Sequence, residues 1–215
     1  MYEFIVFDLD GTLLDTLADL HASVNFALEK FSFPKRSQEE VRSFVGNGIA
    51  MLIKRAIGKQ TPLFEDVLQA FKTHYAVHCA DKTQPYKGIL PLLEQLKMQG
   101  VKTAVVSNKA DFAVKKLADE YFGGLFLAAV GEDEANGIRK KPAPDSLLSV
   151  LQKLGADKQK TVYVGDSEVD IQTAQNAGVA CISVAWGFKD KDFLIENGAT
   201  VLIDAPDEIL KYCIQ

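Results

Sequence analysis

The chain has 215 residues, 47% apolar and 25% charged, with a formal net charge of −5. That suits one medium globular domain or a core with an insert; it offers no basic stripe for nucleic acid and no apolar run near the ~20 residues that cross a bilayer. Cys79, Cys181 and Cys213 lack metal spacing and read as buried or free thiols, and no basic-then-apolar leader opens the chain, so the expected setting is the reducing cytoplasm.

The first element is Phe4-Ile5-Val6-Phe7, an apolar run that suits a strand buried on both faces. Asp8 and Asp10 come where it should end. Side chains two apart on extended backbone point the same way, so the two carboxylates can share one site. Gly11 then permits a tight turn. The carboxyl ends of strands are where open α/β sheets bind ligands, and paired acids there can act on a phosphate once a cation offsets their repulsion. Asp and Gly are also ordinary turn residues, so the reading depends on companion residues later in the chain.

From 16 to 82 the pattern is helical. Leu17, Leu20, Val24, Leu28 and Phe31 form one apolar face, which Pro34 ends. Ser37 and Glu40 resemble a capping box for a second short helix. Gly46-Asn47-Gly48 signals a turn. Ile49, Leu52, Ile53, Ala56 and Ile57 stripe a third helix closed by Gly58, and Pro62 opens a fourth that carries Val67, Leu68, Phe71, Tyr75 and Cys79. Four helices without a strand interrupt the alternation seen elsewhere. The expected organisation is therefore a core of 1–15 and 83–215 with an all-helical cap inserted at 16–82.

Alternation resumes with a helix over 88–98, a strand over 101–106 leading into Ser107-Asn108, and a helix from Asp111 to about Tyr121. A short strand is expected over 125–130, a polar loop over 131–141 and a helix from Pro144 to Leu154. A strand over 161–164 leads into Gly165-Asp166, and a helix over 168–177 is capped by Gly178. Strands over 180–184 and 200–203 and a helix over 206–214 complete the chain. The fold class is α/β: a doubly wound, Rossmann-like parallel sheet covered by helices on both faces.

Three later motifs can reach the rim where Asp8 and Asp10 stand: Ser107-Asn108, Lys141-Pro142-Ala143-Pro144 and Gly165-Asp166-Ser167-Glu168-Val169-Asp170. Taken singly each has a plainer reading. Ser107-Asn108 is a usual strand-to-loop turn, Arg139-Lys140-Lys141 a solvated basic run, and Asp170 an acid in a helix's first turn. Together with Asp8-Leu9-Asp10-Gly11-Thr12 they match, in order, the four motifs of the haloacid dehalogenase superfamily, and the helical insert is similar to that family's first-type cap. The resemblance covers essentially the whole chain. It implies a Mg²⁺-dependent phosphatase acting on a small phosphorylated metabolite. Asp8 would be the nucleophile and Asp10 the acid and base. The metal would be held by Asp8, the Asp10 carbonyl and Asp166, with Asp170 holding a metal-bound water or orienting Lys141. Ser107, Asn108, Thr12 and Lys141 would bind the phosphoryl group, with Lys141 preferred to Lys140 because it directly precedes Pro142.

The motifs also discriminate within the family. Dehalogenase members lack the second acid, and phosphonatase members carry alanine there, so Asp10 favours phosphoryl hydrolysis. Sugar-phosphate mutases keep both acids but carry a histidine twelve residues after the nucleophile, where this chain has Leu20 with His21 beside it. A mutase is the nearest alternative; a non-catalytic phosphate-binding module is the other, and no motif acid is lost to mark it. The stretches 10–20, Val45-Gly46-Asn47-Gly48 and Ala185-Trp186-Gly187 resemble phosphoglycolate phosphatases. Arg42, Lys54 and Arg55 are the cap's candidates for contacting an anionic substrate, against the plainer reading of a solvated helix face. The cap itself is expected to be a mobile lid. His74 and His78, four apart on one helix, lack an evident third ligand and read as structural.

Overall fold

The computed structural model describes residues 1–213, the side chain of Ala135 excepted. It begins with β1 (Phe4–Phe7) and β2 (Leu14–Asp15), then four helices: α1 (Leu17–Lys30), α2 (Gln38–Phe44), α3 (Ile49–Ile57) and α4 (Phe64–His78). The Ser37–Glu40 capping box is formed in both directions, and Gly58 ends α3 in the left-handed conformation. After β3 (Gln84–Pro85) come α5 (Ile89–Met98), β4 (Lys102–Ala110), α6 (Asp111–Phe122), β5 (Ala129–Glu132), α7 (Asp145–Leu154), β6 (Thr161–Gly165), α8 (Glu168–Ala177), β7 (Ala180–Val184), α9 (Lys191–Glu196) and β8 (Leu202–Ile203).

Among the described residues one sheet has six parallel strands in the order β5-β4-β1-β6-β7-β8. β1 is central. Its Phe7 stands level with Val105 of β4 and Val164 of β6, so three neighbouring strands deliver their next residues to the same rim. The chain lays strands to one side of β1 and then crosses to the other, which makes this rim a topological switch point. Side chains of β1 alternate as a two-sided strand must. Ile5 and Phe7 pack with α5, α6 and the helices after β2; Phe4 and Val6 pack with Leu147, Val150 and Ala174 of α7 and α8.

The two connections to α1–α4 run side by side as a small antiparallel ribbon, in which Leu14 pairs with Pro85 and Asp15 with Gln84. Buried Asp19 of α1 accepts hydrogen bonds from Lys82 N (2.9 Å), Thr83 N (2.8 Å) and Thr83 Oγ1 (2.9 Å), joining the segment's start to its end.

Beside the unexpected β2–β3 ribbon, four elements differ from expectation. β4 continues past Val106 through Lys109, so its end carries three polar side chains. The strand expected over 125–130 pairs only at Ala129–Glu132. Its apolar start serves packing instead, with Phe126 edge-on to Phe7 and Phe122. α9 buries only Leu194 and has no apolar stripe to announce it. The final helix is a 3₁₀ turn over Pro206–Tyr212, and Ile214 lies outside the described residues. No helix among the described residues is long and apolar enough to cross a membrane.

Candidate active site

Asp8 leaves β1 with its N–H bonded to Val164 O (2.9 Å), which fixes it between the ends of β4 and β6. The carboxylate oxygens of Asp8, Asp166 and Asp170 lie within 4.8 Å of one another, all buried. Such crowding is unfavourable for three anions. Burial pushes the Asp8 carboxyl up to about 6, with Lys141 and Ser107 pulling against it and the Asp170 charge adding to it. Asp166 is pushed well above the usual carboxylate range, first by burial and then by the Asp170 and Asp8 charges.

Lys141 is the cation of this cluster. Its Nζ donates to Asp170 Oδ1 (2.6 Å) and the Tyr163 hydroxyl (2.9 Å) and pairs with Asp8 Oδ1 at 3.0 Å by charge. Burial works against its charge, but the two acids outweigh it and hold the ammonium protonated. Lys140 points away to Glu134. The other oxygen of Asp170 accepts from Ser167 Oγ (2.6 Å) and Ser167 N (3.1 Å) as the cap of α8. Asp170 is thus committed to orienting Lys141. Gly165 is required for that approach, since a Cβ there would stand 2.3 Å from Asp170 Cγ. Gly11 is needed for a similar reason. At φ +83° it passes so close to Asp166 that a Cβ would lie 2.3 Å from Oδ2.

Asp166 is held by Phe188 N (2.7 Å) and by Thr12 Oγ1 (3.2 Å), and Trp186 Nε1 donates to Thr12 O (3.0 Å). The 185–187 stretch therefore acts by supporting Asp166. Thr12, expected at the phosphate, is fully buried behind Asp166 with its hydroxyl taken. Asn108, expected beside it, also has both ends of its amide engaged. Nδ2 donates to Lys141 O (2.9 Å) and Gly46 O (3.1 Å), while Oδ1 accepts from Lys141 N (2.8 Å). It anchors the Lys141 backbone and ties the helical segment to the sheet. Ser107 lies in the cavity wall.

Asp8, Asp10, Ser107 and Asp166 face a cavity of about 50 Å³ beneath the helices. Asp10 accepts from Thr16 Oγ1 (2.7 Å) and Lys109 Nζ (2.9 Å). The helical side contributes Leu20, Val45, Ile49, Leu52 and Tyr75. None of the cap candidates is among these. Arg42 donates to Gly187 O (3.1 Å) and lies 3.5 Å from Asp190, at the seam with the sheet. Lys54 and Arg55 line a separate surface groove with Met51, Lys59 and Phe64. The helical face that bears them is turned away from the sheet, because α3 buries Leu52, Ile53 and Ala56. His21 is bonded to Arg36 O (2.9 Å) and Asn25 (2.8 Å), so no histidine faces the cavity. His74 bonds Ser23 and stacks on His78, which pairs with Asp81.

Sequence reasoning missed Tyr163, Lys109 and Tyr75. Tyr163 and Tyr75 look like core residues, and Lys109 like a loop lysine. The extension of β4 to Ala110 aims residues 107 and 109 to one side, and no pattern in the sequence announced it.

The cluster suits a hard, oxygen-seeking cation. Asp8 Oδ1 is buried without an aligned hydrogen bond, and Asp166 carries repulsion that no protein cation relieves directly. Asp8 and Asp166 line the cavity and can hold such an ion; Asp170, engaged on both oxygens, stands behind them.

Comparison with known proteins gives a consistent picture. The profile of the haloacid dehalogenase-like hydrolases matches residues 5–184. A phosphoglycolate phosphatase of Pseudomonas syringae pv. syringae is 34% identical over 99% of this chain and 80% of its own length. A crystal structure from Lactobacillus delbrueckii subsp. bulgaricus is 40% identical, with a TM-score of 0.91 over 97% of this chain and 96% of that one. One from Haemophilus somnus 129PT, described as a predicted phosphoglycolate phosphatase, is 29% identical with a TM-score of 0.90 over 98% and 97%.

Proposed function

The chain belongs to the haloacid dehalogenase-like hydrolase family, and on that premise we propose that it cleaves phosphoglycolate through an aspartyl-phosphate on Asp8. It is a phosphoric monoester hydrolase. The observation that carries the site assignment is the grouping of Asp8, Lys141 and Asp166 at one rim, with Asp10 facing the same cavity.

Asp8 attacks phosphorus, and the bond to the ester oxygen breaks. Asp10 gives that oxygen a proton, then takes one from the water that attacks the phosphoryl group and releases Asp8. Lys141 keeps Asp8 ionised and offsets charge on the phosphoryl oxygens, and Asp170 holds Lys141 in place. Ser107 donates to a phosphoryl oxygen. Asp8, Asp166 and the Asp10 carbonyl would hold Mg²⁺, which when bound would further neutralise the phosphate. The segment 16–82 acts as the lid over this chemistry, because its helices supply the wall that faces Asp8 across the cavity. The cytoplasm is the setting that suits its three free thiols. The mutase alternative lacks its proton carrier, since Leu20 stands at the cavity where the histidine would be.

The test is kcat/KM on phosphoglycolate, sugar phosphates, nucleotides and pyrophosphate, with Mg²⁺ and with a chelator. Phosphoglycolate should lead the ranking, and the chelator should abolish turnover. A sugar phosphate turned over far better than phosphoglycolate would displace the substrate; full activity in chelator would displace the metal.

A further inference from the structure

Lys109 and Tyr75 have no part in the steps above, yet both are almost wholly buried (4% and 2% exposed) and both face the cavity. Lys109 comes from the end of β4 and Tyr75 from α4. Lys109 Nζ donates to Asp10 Oδ1 (2.9 Å), to Asp10 Oδ2 (3.2 Å) and to the Tyr75 hydroxyl, whose ring centroid is 4.6 Å away. A buried ammonium needs a partner, and Asp10 is one. The tyrosine is the unexplained member. Its oxygen accepts from Lys109, and among the described residues its own proton meets no acceptor. Buried hydroxyls normally find one. The neighbouring helical wall is apolar: Leu20, Val45, Ile49 and Leu52. One cation from the sheet and one idle O–H donor from the helices thus meet at the edge of an otherwise greasy wall.

We propose that Lys109 and Tyr75 form the subsite for a carboxylate carried by the substrate, so that this wall selects short phosphorylated carboxylic acids. The inference rests on the hydrolase reading above and gives its substrate class a structural cause. The spacing supports it. In a phosphorylated 2-hydroxy acid, the ester oxygen and a carboxylate oxygen are roughly 3 Å apart, set by two C–O bonds and one C–C bond. Asp10, which serves the ester oxygen, is 2.9 Å from Lys109 Nζ. The ester oxygen, Asp10, Lys109 and the carboxylate oxygen therefore close a four-sided figure with edges of about 3 Å, three of hydrogen-bond length and the fourth the span of the substrate's own three bonds. Another carbon between ester and carboxylate opens the figure and pushes the acid toward the leucines. A neutral alcohol leaves the Tyr75 proton idle.

The experiment compares phosphoglycolate with ethyl phosphate, which replaces the carboxylate by a methyl group, in wild type, Tyr75→Phe and Lys109→Met. Wild type should favour phosphoglycolate by about a hundredfold or more in kcat/KM, since a site built for a polar group rejects the analogue lacking it. Tyr75→Phe, which keeps the ring, should cut that ratio about tenfold, chiefly through KM. Lys109→Met should bring the ratio near unity. Calorimetry in an Asp8→Asn background with Mg²⁺ should show the same loss for phosphoglycolate binding and little for ethyl phosphate. If the ratio survives in Tyr75→Phe and Lys109→Met, or if both substrates suffer equally, the subsite is wrong and the pair only props Asp10. If Lys109→Met fails to fold, the Tyr75→Phe ratio decides. A wild type that turns over both esters alike overturns the subsite and leaves the phosphatase standing. A wild type inactive on every monoester overturns the hydrolase reading itself, and the subsite with it.

Discussion

The cavity has two walls of opposite character. The sheet wall is charged and over-determined: each acid has at least one assigned partner, and glycines let backbone press against Asp166 and Asp170. The helical wall is apolar and offers polar chemistry at one hydroxyl, Tyr75. One wall fixes a reaction, and the other can vary without disturbing it. The difference says where to look for each property: bond breaking among the packed charges of the sheet wall, and substrate choice where the helical wall meets Lys109.

The sharpest way to break the contrast is Asp8→Asn. It should lower kcat by about 10⁴-fold or more, while the melting temperature without metal holds or rises because one crowded anion is gone. A retained rate would remove Asp8 as nucleophile. Next is Lys141→Met. It strands Asp8 and Asp170 without their shared cation, so it should cost roughly 3–5 kcal/mol in urea unfolding as well as most activity. An unchanged denaturation midpoint would mean the sheet wall is less tightly coupled than its distances imply.

The pH dependence gives a third test. Asp8 and Asp166 are raised in the folded, metal-free protein, Asp8 to about 6. A raised carboxyl contributes stability below its unfolded pKa and loses it as pH rises through the folded value. Chelator-treated protein should therefore lose stability as pH rises from about 4 through about 6, where Asp8 ionises, and go on losing it as Asp166 ionises, and Mg²⁺ should restore it only where the acids are ionised. The melting shift caused by Mg²⁺ should be small near pH 4.5 and full near pH 7.5; equal shifts would contradict the cluster's role. The smallest effect belongs to the other wall. Ile49→Ala should change KM a few-fold among substrates, with kcat and the Mg²⁺ requirement close to wild type. A kcat loss matching that of Lys141→Met would erase the distinction between the walls.

Much of the sheet wall was legible because its residues sit at strand ends, where apolar runs stop and polar residues begin. Phe4–Phe7 into Asp8 and Thr161–Val164 into Asp166 are both of this kind. The β-strand over 125–130 was misplaced because apolar residues can pack without pairing, as Phe126 does. Arg42, Lys54 and Arg55 were sought for their charge, but charge alone does not say which way a helix faces. The stripe of Leu52, Ile53 and Ala56 did say so, and it turns Lys54 and Arg55 outward. Tyr75 and Lys109 were invisible for another reason: their meaning lies in a contact between α4 and β4, which no local pattern encodes. Thr12 and Asn108 were found at the site, but hydrogen bonds to Asp166 and Lys141 occupy them.

The central place of β1 has a consequence for how the chain is made. Phe4 pairs with Lys102 on one side and with Thr161 on the other. β1 therefore leaves the ribosome well ahead of both its partners, while α1 to α4 find much of their packing among themselves. Long-range parallel pairing is slow to form, and the Asp19 clasp to Thr83 lets the helical segment close early as a loop of its own. The apolar run Phe4–Phe7 is then the stretch most exposed to wrong partners during synthesis. Asp8 at its end acquires Lys141 and Asp166 only when the sheet closes around it, so a half-made chain holds the helices before it holds the rim they stand over.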